Sequence, residues 1–412
     1  MKSKTLIIAL AAMLLAAACT TTTHRRTSEI RRSSPERQGM NSKYLALIDS
    51  TVNASIQEGD VPGAVVGIVR NGCLVFEKAY GLKSEYPEEE PMTVETMFDL
   101  ASVSKVVGTT LSVMQLVEQG KIRLVDTVAR YIPGFLPWIN PETGERVPIR
   151  VQDLLTHSSG LDAYMDDMDG YLNEFGPLTP DSLMMVISTR IPRNFKPGTD
   201  VLYSCLNFIT LQHILEKVTG ERLCDYTQKH VFDALHLKHT CYFPFGEPNK
   251  HLNLVAPTAI QPDGSVLRGI VHDPIARIIN GGNSGNAGVF SNVEDLAVVC
   301  AALLADGSYN GHRVLSPLTV QRMFAVPPAN DPKVARALGW DTFYPEPYTS
   351  GDVFAVMNLR GHTGFTGTSV LLDPDTNTAV IILAHRVHPR NDGSASRLRS
   401  TVASIVAASI GR

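Results

Sequence analysis

The sequence has no long basic block. Its 37 Lys and Arg against 41 Asp and Glu leave a formal net charge of −4. A nucleic-acid role therefore has no electrostatic support. No CxxC pair occurs, and no Cys/His cluster has zinc spacing. His385 and His388 are close in sequence but stand at an apparent strand end before Pro389, which makes a poor metal site. The six cysteines, Cys19, Cys73, Cys205, Cys224, Cys241 and Cys300, are widely spaced. With Cys19 set aside the count is odd, a poor disulfide framework, and most read as buried small hydrophobes. There is no internal repeat, and no low-complexity tract beyond one polar segment near the N-terminus. What remains is ordinary for a globular chain: 412 residues, 44% hydrophobic and 19% charged. That length suits one large domain or two interleaved subdomains.

The N-terminus departs from this average. Met1 to Lys4 carries two lysines, and Thr5 to Ala18 is an uncharged apolar run ending in small residues before Cys19. A positive start, a short apolar stretch and small residues before a cleavage point make a secretory signal. The run is short for a bilayer span. Small residues directly before a cysteine resemble a bacterial lipobox, in which Cys19 is lipidated; Leu15 stands one place early for that pattern. Simple secretion and an uncleaved anchor are the alternatives. The expected division is a signal over 1–19, a flexible polar tether over 20–43 and a folded domain over 44–412. The folded part then lies outside the cytoplasm, at the periplasm or cell surface, with membrane contact through a lipid on Cys19.

Strand-like runs cluster at the two ends of the domain. Ala64 to Arg70 and Leu74 to Tyr80 flank Asn71-Gly72, a strong hairpin signal. Val353 to Leu359, Thr368 to Leu372 and Ala379 to Ala384 read as strands near the C-terminus, followed by an amphipathic helix from about Ala395 to Ile410. The middle is helical in period, with examples at Val106 to Gln119, Ser182 to Ser188, Phe208 to Thr219 and Val293 to Ala305. The expected class is α+β, an α/β sandwich. One antiparallel sheet is built from both chain ends, with flanking helices and a mostly helical inserted subdomain.

Three motifs carry chemistry. The first is Phe98-Asp99-Leu100-Ala101-Ser102-Val103-Ser104-Lys105, a Ser-x-x-Lys at a helix start. Residues three apart share a helix face, so Lys105 reaches the Ser102 hydroxyl, whereas Ser104 is its immediate neighbour and points elsewhere. A serine is a weak nucleophile until a base takes its proton, and a dry site disfavours the lysine ammonium. Helix-start amides add oxyanion donors. Alone, however, Ser-x-x-Lys is a common chance match. The second motif runs from Lys196-Pro197-Gly198 to Tyr203-Ser204-Cys205; its turn delivers a tyrosine, a group able to shuttle a proton, just before a helix. A core tyrosine would look the same. The third is Gly361-His362-Thr363-Gly364-Phe365-Thr366-Gly367-Thr368, whose small residues let a substrate lie along a strand edge.

All three in this order resemble the serine β-lactamase and penicillin-binding-protein superfamily, nearest its class C and esterase-like branch. Val61-Pro62-Gly63-Ala64, Asp153 to Leu161 and Gly285 to Ser291 are similar to further family landmarks. The resemblance spans about residues 45 to 390 and implies a β-lactamase/transpeptidase-like fold. It implies that Ser102 is acylated, Lys105 takes its proton and Tyr203 relays it to the leaving group. The oxyanion hole would use the backbone N–H groups of Ser102 and Phe365. Cys205, His362, Thr363 and Gly364 would bind substrate, and His157 would fix a loop by hydrogen bonding.

Two positions depart from the family pattern. Cys205 stands where the family usually has asparagine, and His362 where it often has lysine. Cysteine cannot replace an amide's hydrogen bonds, and a neutral imidazole is a weaker carboxylate partner than an ammonium. The expectation is a serine acyl-hydrolase on an ester or amide, with small-molecule or peptide substrates and no cofactor. An acyltransferase using the same residues, and a non-catalytic sensor, are the competing readings.

Overall fold

The computed structural model describes residues 29–326, 336–342, 349–354 and 358–411. The signal over 1–19, Cys19 and the start of the tether lie outside them.

Asn71 and Gly72 both take positive φ, 50° and 69°, as a two-residue hairpin turn requires. They join β2 (Gly63–Arg70) to β3 (Cys73–Ser84). The C-terminal part of the chain adds β5 (Arg360–Thr363), β6 (Ser369–Asp373) and β7 (Thr378–Ala384). Two short strands complete the sheet: β1 (Arg31–Arg32), parallel to β3, and β4 (Glu90–Pro91), antiparallel to it. The order is β1-β3-β2-β7-β6-β5. Every pairing except β1–β3 is antiparallel, and β7 joins the two chain ends by pairing Ile381 with Gly67. This is the expected sheet from both termini.

Side chains alternate across it. Val66, Ile68, Val380 and Ile382 pack on one face against helices α1 (Leu47–Gln57) and α5 (Ser396–Ser409). Val65, Val69, Ile381 and Leu383 face the other way, into the larger core with α4 (Val293–Leu304) and the helical insertion. The insertion includes α2 (Leu111–Glu118) and α3 (Cys205–Thr219). Gly67 lets α4 approach: a Cβ there would lie 2.2 Å from Val293 Cγ1. The result is an α+β sandwich with a mostly helical insert. Among the described residues no helix is long and apolar enough to cross a membrane.

Three expectations need correction. The stretch 29–43 is anchored at two points and is not a free tether: Ile30 and Met40 are each 3% exposed, and Met40 pairs with Ile410. None of the described residues within 353–359 lies in a strand. Residues 351–353 form a turn, 355–357 lie outside the described residues, and the strand is Arg360–Thr363, set by its register with Ser369–Asp373. The helix expected from Val106 opens as a 3-10 turn over Ala101–Val103 and a wide π turn over Lys105–Thr110, becoming α-helical at Leu111.

Candidate active site

Ser102 sits on the 3-10 turn, where residues three apart eclipse one another. The chain enters this turn under constraint. Ala101 is held at φ 45°, a left-handed conformation that costs a non-glycine residue energy and clusters at functional sites. Its N–H donates to Asp99 Oδ1 at 2.8 Å. The other carboxylate oxygen of Asp99 accepts from His272 N at 2.7 Å. Burial pushes the Asp99 carboxyl up to about 6, against these two bonds.

Lys105 is fully buried. Its Nζ lies 2.9 Å from Ser102 Oγ, donates to the Asn286 carbonyl at 2.8 Å and approaches Cys205 Sγ at 3.5 Å. Burial pulls the ammonium down, but Cys205 and then Tyr203 hold its proton, and the net direction is upward. Tyr203 and Cys205 are themselves pushed up by burial. The three groups form one contact cluster, in which a charge on one bears on the protonation of the others.

Tyr203 follows the Pro197-Gly198 turn and precedes α3, as the sequence indicates. The residue as a whole is 37% exposed, and Lys105 Nζ stands 5.1 Å from the ring centroid. His157 packs on that ring at 4.5 Å and His362 at 5.8 Å. His157 Nδ1 accepts from Ser204 N at 3.0 Å, and the His157 carbonyl accepts from Leu202 N at 3.0 Å. His157 thus ties down the residues on both sides of Tyr203. Burial holds it well below the ordinary imidazole range, so it is neutral.

The third motif forms β5 and the loop after it. His362 Nδ1 donates to the Thr363 carbonyl at 2.8 Å, which leaves Nε2 as an acceptor. Burial, reinforced by Lys105, lowers His362 to about 3. Thr366 Oγ1 donates to the Asp99 carbonyl at 2.8 Å, and Thr368 Oγ1 to the Leu100 carbonyl at 2.9 Å. The loop is therefore tied to the segment that carries Ser102. Phe365 is 52% exposed and lies between His272, stacked at 5.7 Å, and the Arg386 guanidinium at 4.4 Å.

Ser102, Tyr203, Cys205, His362, Thr363, Gly364 and Phe365 all line one cleft of about 1190 Å³. Sequence reasoning brought these residues together but missed others. The Asn286 carbonyl that holds Lys105 lies in the Gly285–Ser291 landmark, and main-chain oxygens have no residue signature. Arg277, Arg336, Arg386 and Arg399 also line the cleft, so cations are present although the third motif lacks its lysine. Arg336 pairs with Asp341 at 3.4 Å; Arg277, Arg386 and Arg399 donate to main-chain carbonyls. His385 and His388 are buried and bonded to the backbone around Lys83, Glu85 and Thr258. Among the described residues no cluster could hold a metal ion.

Residues 48–403 match the family model described as beta-lactamase. The chain is 32% identical over 423 aligned positions to N-acetylmuramyl-L-alanine amidase of Bacillus subtilis (strain 168), covering 94% of this chain and 92% of that relative. Its fold is similar to that of EstCE1, a hydrolase with promiscuous acyltransferase activity, with a TM-score of 0.69 and 24% identity over 89% of this chain and 99% of the other. It is also similar to a penicillin-binding protein homolog from Caulobacter crescentus, with a TM-score of 0.69 and 17% identity over 90% and 99% of the two chains.

Proposed function

Because the chain belongs to the beta-lactamase family and is a serine hydrolase, we propose that it works through an acyl-enzyme on Ser102. The observation that carries this reading is the 2.9 Å approach of a fully buried Lys105 Nζ to Ser102 Oγ. In the reactive form the Lys105–Tyr203 pair has lost one proton. It accepts the Ser102 hydroxyl proton as Oγ bonds to the substrate carbonyl carbon. The Ser102 and Phe365 N–H groups receive the oxyanion. The carbonyl–leaving-group bond then breaks, and Tyr203 passes the held proton to the departing alkoxide or amine. Water attacks the acyl-Ser102 ester next, giving its proton to the same pair, and Ser102 leaves with a proton back.

The substrate is an ester or amide, small or peptidic. Two similar proteins support this breadth: a sequence relative named as an amidase, and the structural neighbour EstCE1, a hydrolase with promiscuous acyltransferase activity. An alcohol or amine replacing water in the second step turns the same machinery into an acyltransferase. The decisive experiment supplies p-nitrophenyl butyrate with and without an alcohol acceptor and quantifies acid and ester products. Product acid alone supports hydrolysis; product ester in excess makes acyl transfer the main activity; no turnover of esters, D-Ala-D-Ala peptides or β-lactams removes the enzymatic reading.

Export fits the N-terminal segment, with Cys19 as the lipid attachment point and the membrane as partner. Radiolabelled palmitate incorporated into the protein and lost in Cys19→Ala supports the anchor. Label that survives the substitution rules it out.

A further inference from the structure

The second oxyanion donor in this reading is the N–H of the amide that joins Gly364 to Phe365. The oxygen of that same amide, the Gly364 carbonyl, accepts from Arg399 Nη2 at 2.9 Å. The same Nη2 reaches the Thr368 carbonyl, also at 2.9 Å, and Gly364 N donates to that Thr368 carbonyl at 2.7 Å. A trans, planar amide directs its C=O and N–H in opposite directions. A guanidinium that fixes the oxygen therefore fixes the N–H. A charge-assisted bond to the oxygen also polarises the amide and strengthens its N–H as a donor.

The surroundings leave this amide little freedom. A Cβ at Gly364 would lie 2.1 Å from Thr368 Oγ1 and 2.5 Å from the Leu100 carbonyl. The threonine bonds to Asp99 and Leu100 hold the loop from the Ser102 side. Arg399 stands on α5, outside all three motifs, and is buried.

We propose that Arg399 is a positioning residue of the oxyanion hole, holding the Gly364–Phe365 amide with its N–H turned to the reacting carbonyl. The inference rests on the acyl-enzyme reading above. Its effect falls on the tetrahedral state and little on ground-state binding, because an oxyanion donor is aimed at charge that develops only during reaction.

The test compares wild type, Arg399→Met and Arg399→Lys, with active sites counted by a fluorophosphonate probe. Per labelled site, Arg399→Met should turn over p-nitrophenyl butyrate about ten- to a hundredfold more slowly, a weakened rather than deleted donor. KM should stay within about threefold. Affinity for phenylboronic acid, whose serine adduct places an oxygen in the hole, should fall by a similar factor to kcat. Arg399→Lys keeps the charge without the planar fork and should recover part of both losses. A purely structural role would lower the number of labelled sites and leave kcat per site and boronate affinity alone; that result overturns the proposal. If Arg399→Met shows no cooperative melt, the lysine variant carries the same comparison, and an unchanged kcat per site in it also overturns the proposal. Wild-type protein that takes no label removes the acyl-enzyme reading and this inference together, whereas labelled wild type with unaffected variants removes only the inference.

Discussion

Lys105 Nζ donates to the Asn286 main-chain carbonyl at 2.8 Å. A carbonyl accepts only, so one N–H of Lys105 is committed to it in either protonation state. That commitment aims the rest of the amine at Ser102, Cys205 and Tyr203. When the pair has lost a proton, the Nζ lone pair is left to accept from Ser102.

On the proposed mechanism, removing Lys105 or Tyr203 should slow chemistry rather than weaken binding. Lys105→Ala and Tyr203→Phe should each lower kcat by about two or more orders of magnitude, the scale of lost proton transfer. Steady-state kinetics on p-nitrophenyl butyrate gives the answer. A change confined to KM would make both residues binders of substrate only.

The pH profile follows from the same unit. Lys105, Tyr203 and Cys205 are all shifted upward, so the reactive, singly deprotonated pair becomes more populated as pH rises. Log kcat/KM should climb with pH through neutrality with a slope near one, after correction for spontaneous hydrolysis. No imidazole limb should appear near pH 6.5, because His362 titrates at about 3 and His157 is far below its ordinary range. A kcat/KM that falls as pH rises from 6 to 8 would contradict this arrangement.

Much of this was legible in the sequence, for identifiable reasons. Asn71-Gly72 demands a turn that few other pairs can make, so the hairpin could be read locally. Ser102 and Lys105 lie within one turn, so their meeting needed no tertiary knowledge. Arg360–Thr363 escaped because Arg, Gly, His and Thr carry no apolar alternation; only its pairing with Ser369–Asp373 makes it a strand. Arg399 escaped because an arginine on an amphipathic helix looks like a solvated face. The tether was overextended because Ile30 and Met40 are isolated apolar residues, and what buries them comes from the sheet edge and the chain end.

Buried titrating groups also set acid stability. His157, His272, His362 and His385 are neutral in the fold, with His272 lowered to about 4 and His362 and His385 to about 3. The unfolded chain protonates them near pH 6.5, so it binds more protons and folding stability falls as pH drops below that value. Asp99 and Asp153, raised to about 6 by burial, act in the opposite sense and offset part of this. The lowered histidines outnumber the raised carboxyls, so near pH 5 unfolding takes up protons on balance and stability falls as pH drops. Thermal melts from pH 7 to pH 5 should show a falling Tm; a Tm that is flat or rises on acidification would contradict the protonation states assigned here.

Substrate preference should reflect Cys205 and His362. A β-lactam presents an acylamino chain, and Cys205 cannot supply the bonds of an amide. It also presents a carboxylate, and His362 offers a neutral acceptor there, while the arginines of the cleft are engaged by Asp341 or by main-chain carbonyls. The lost hydrogen bond to the charged carboxylate costs about 1.5–3 kcal/mol, or roughly ten to over a hundredfold in kcat/KM. The expected order is p-nitrophenyl butyrate well above nitrocefin on one preparation. Nitrocefin turnover near the diffusional ceiling would make the protein a β-lactamase despite its altered motifs.

The central claim is a covalent intermediate on one named oxygen, and intact-protein mass spectrometry tests it most directly. Wild type treated with a fluorophosphonate probe should gain a single adduct, and peptide mapping should place it on Ser102. Ser102→Ala should gain none, turn over no ester and melt at nearly the wild-type temperature, because only a hydroxyl is removed. An adduct that persists in Ser102→Ala, or full ester turnover by that variant, would contradict the account.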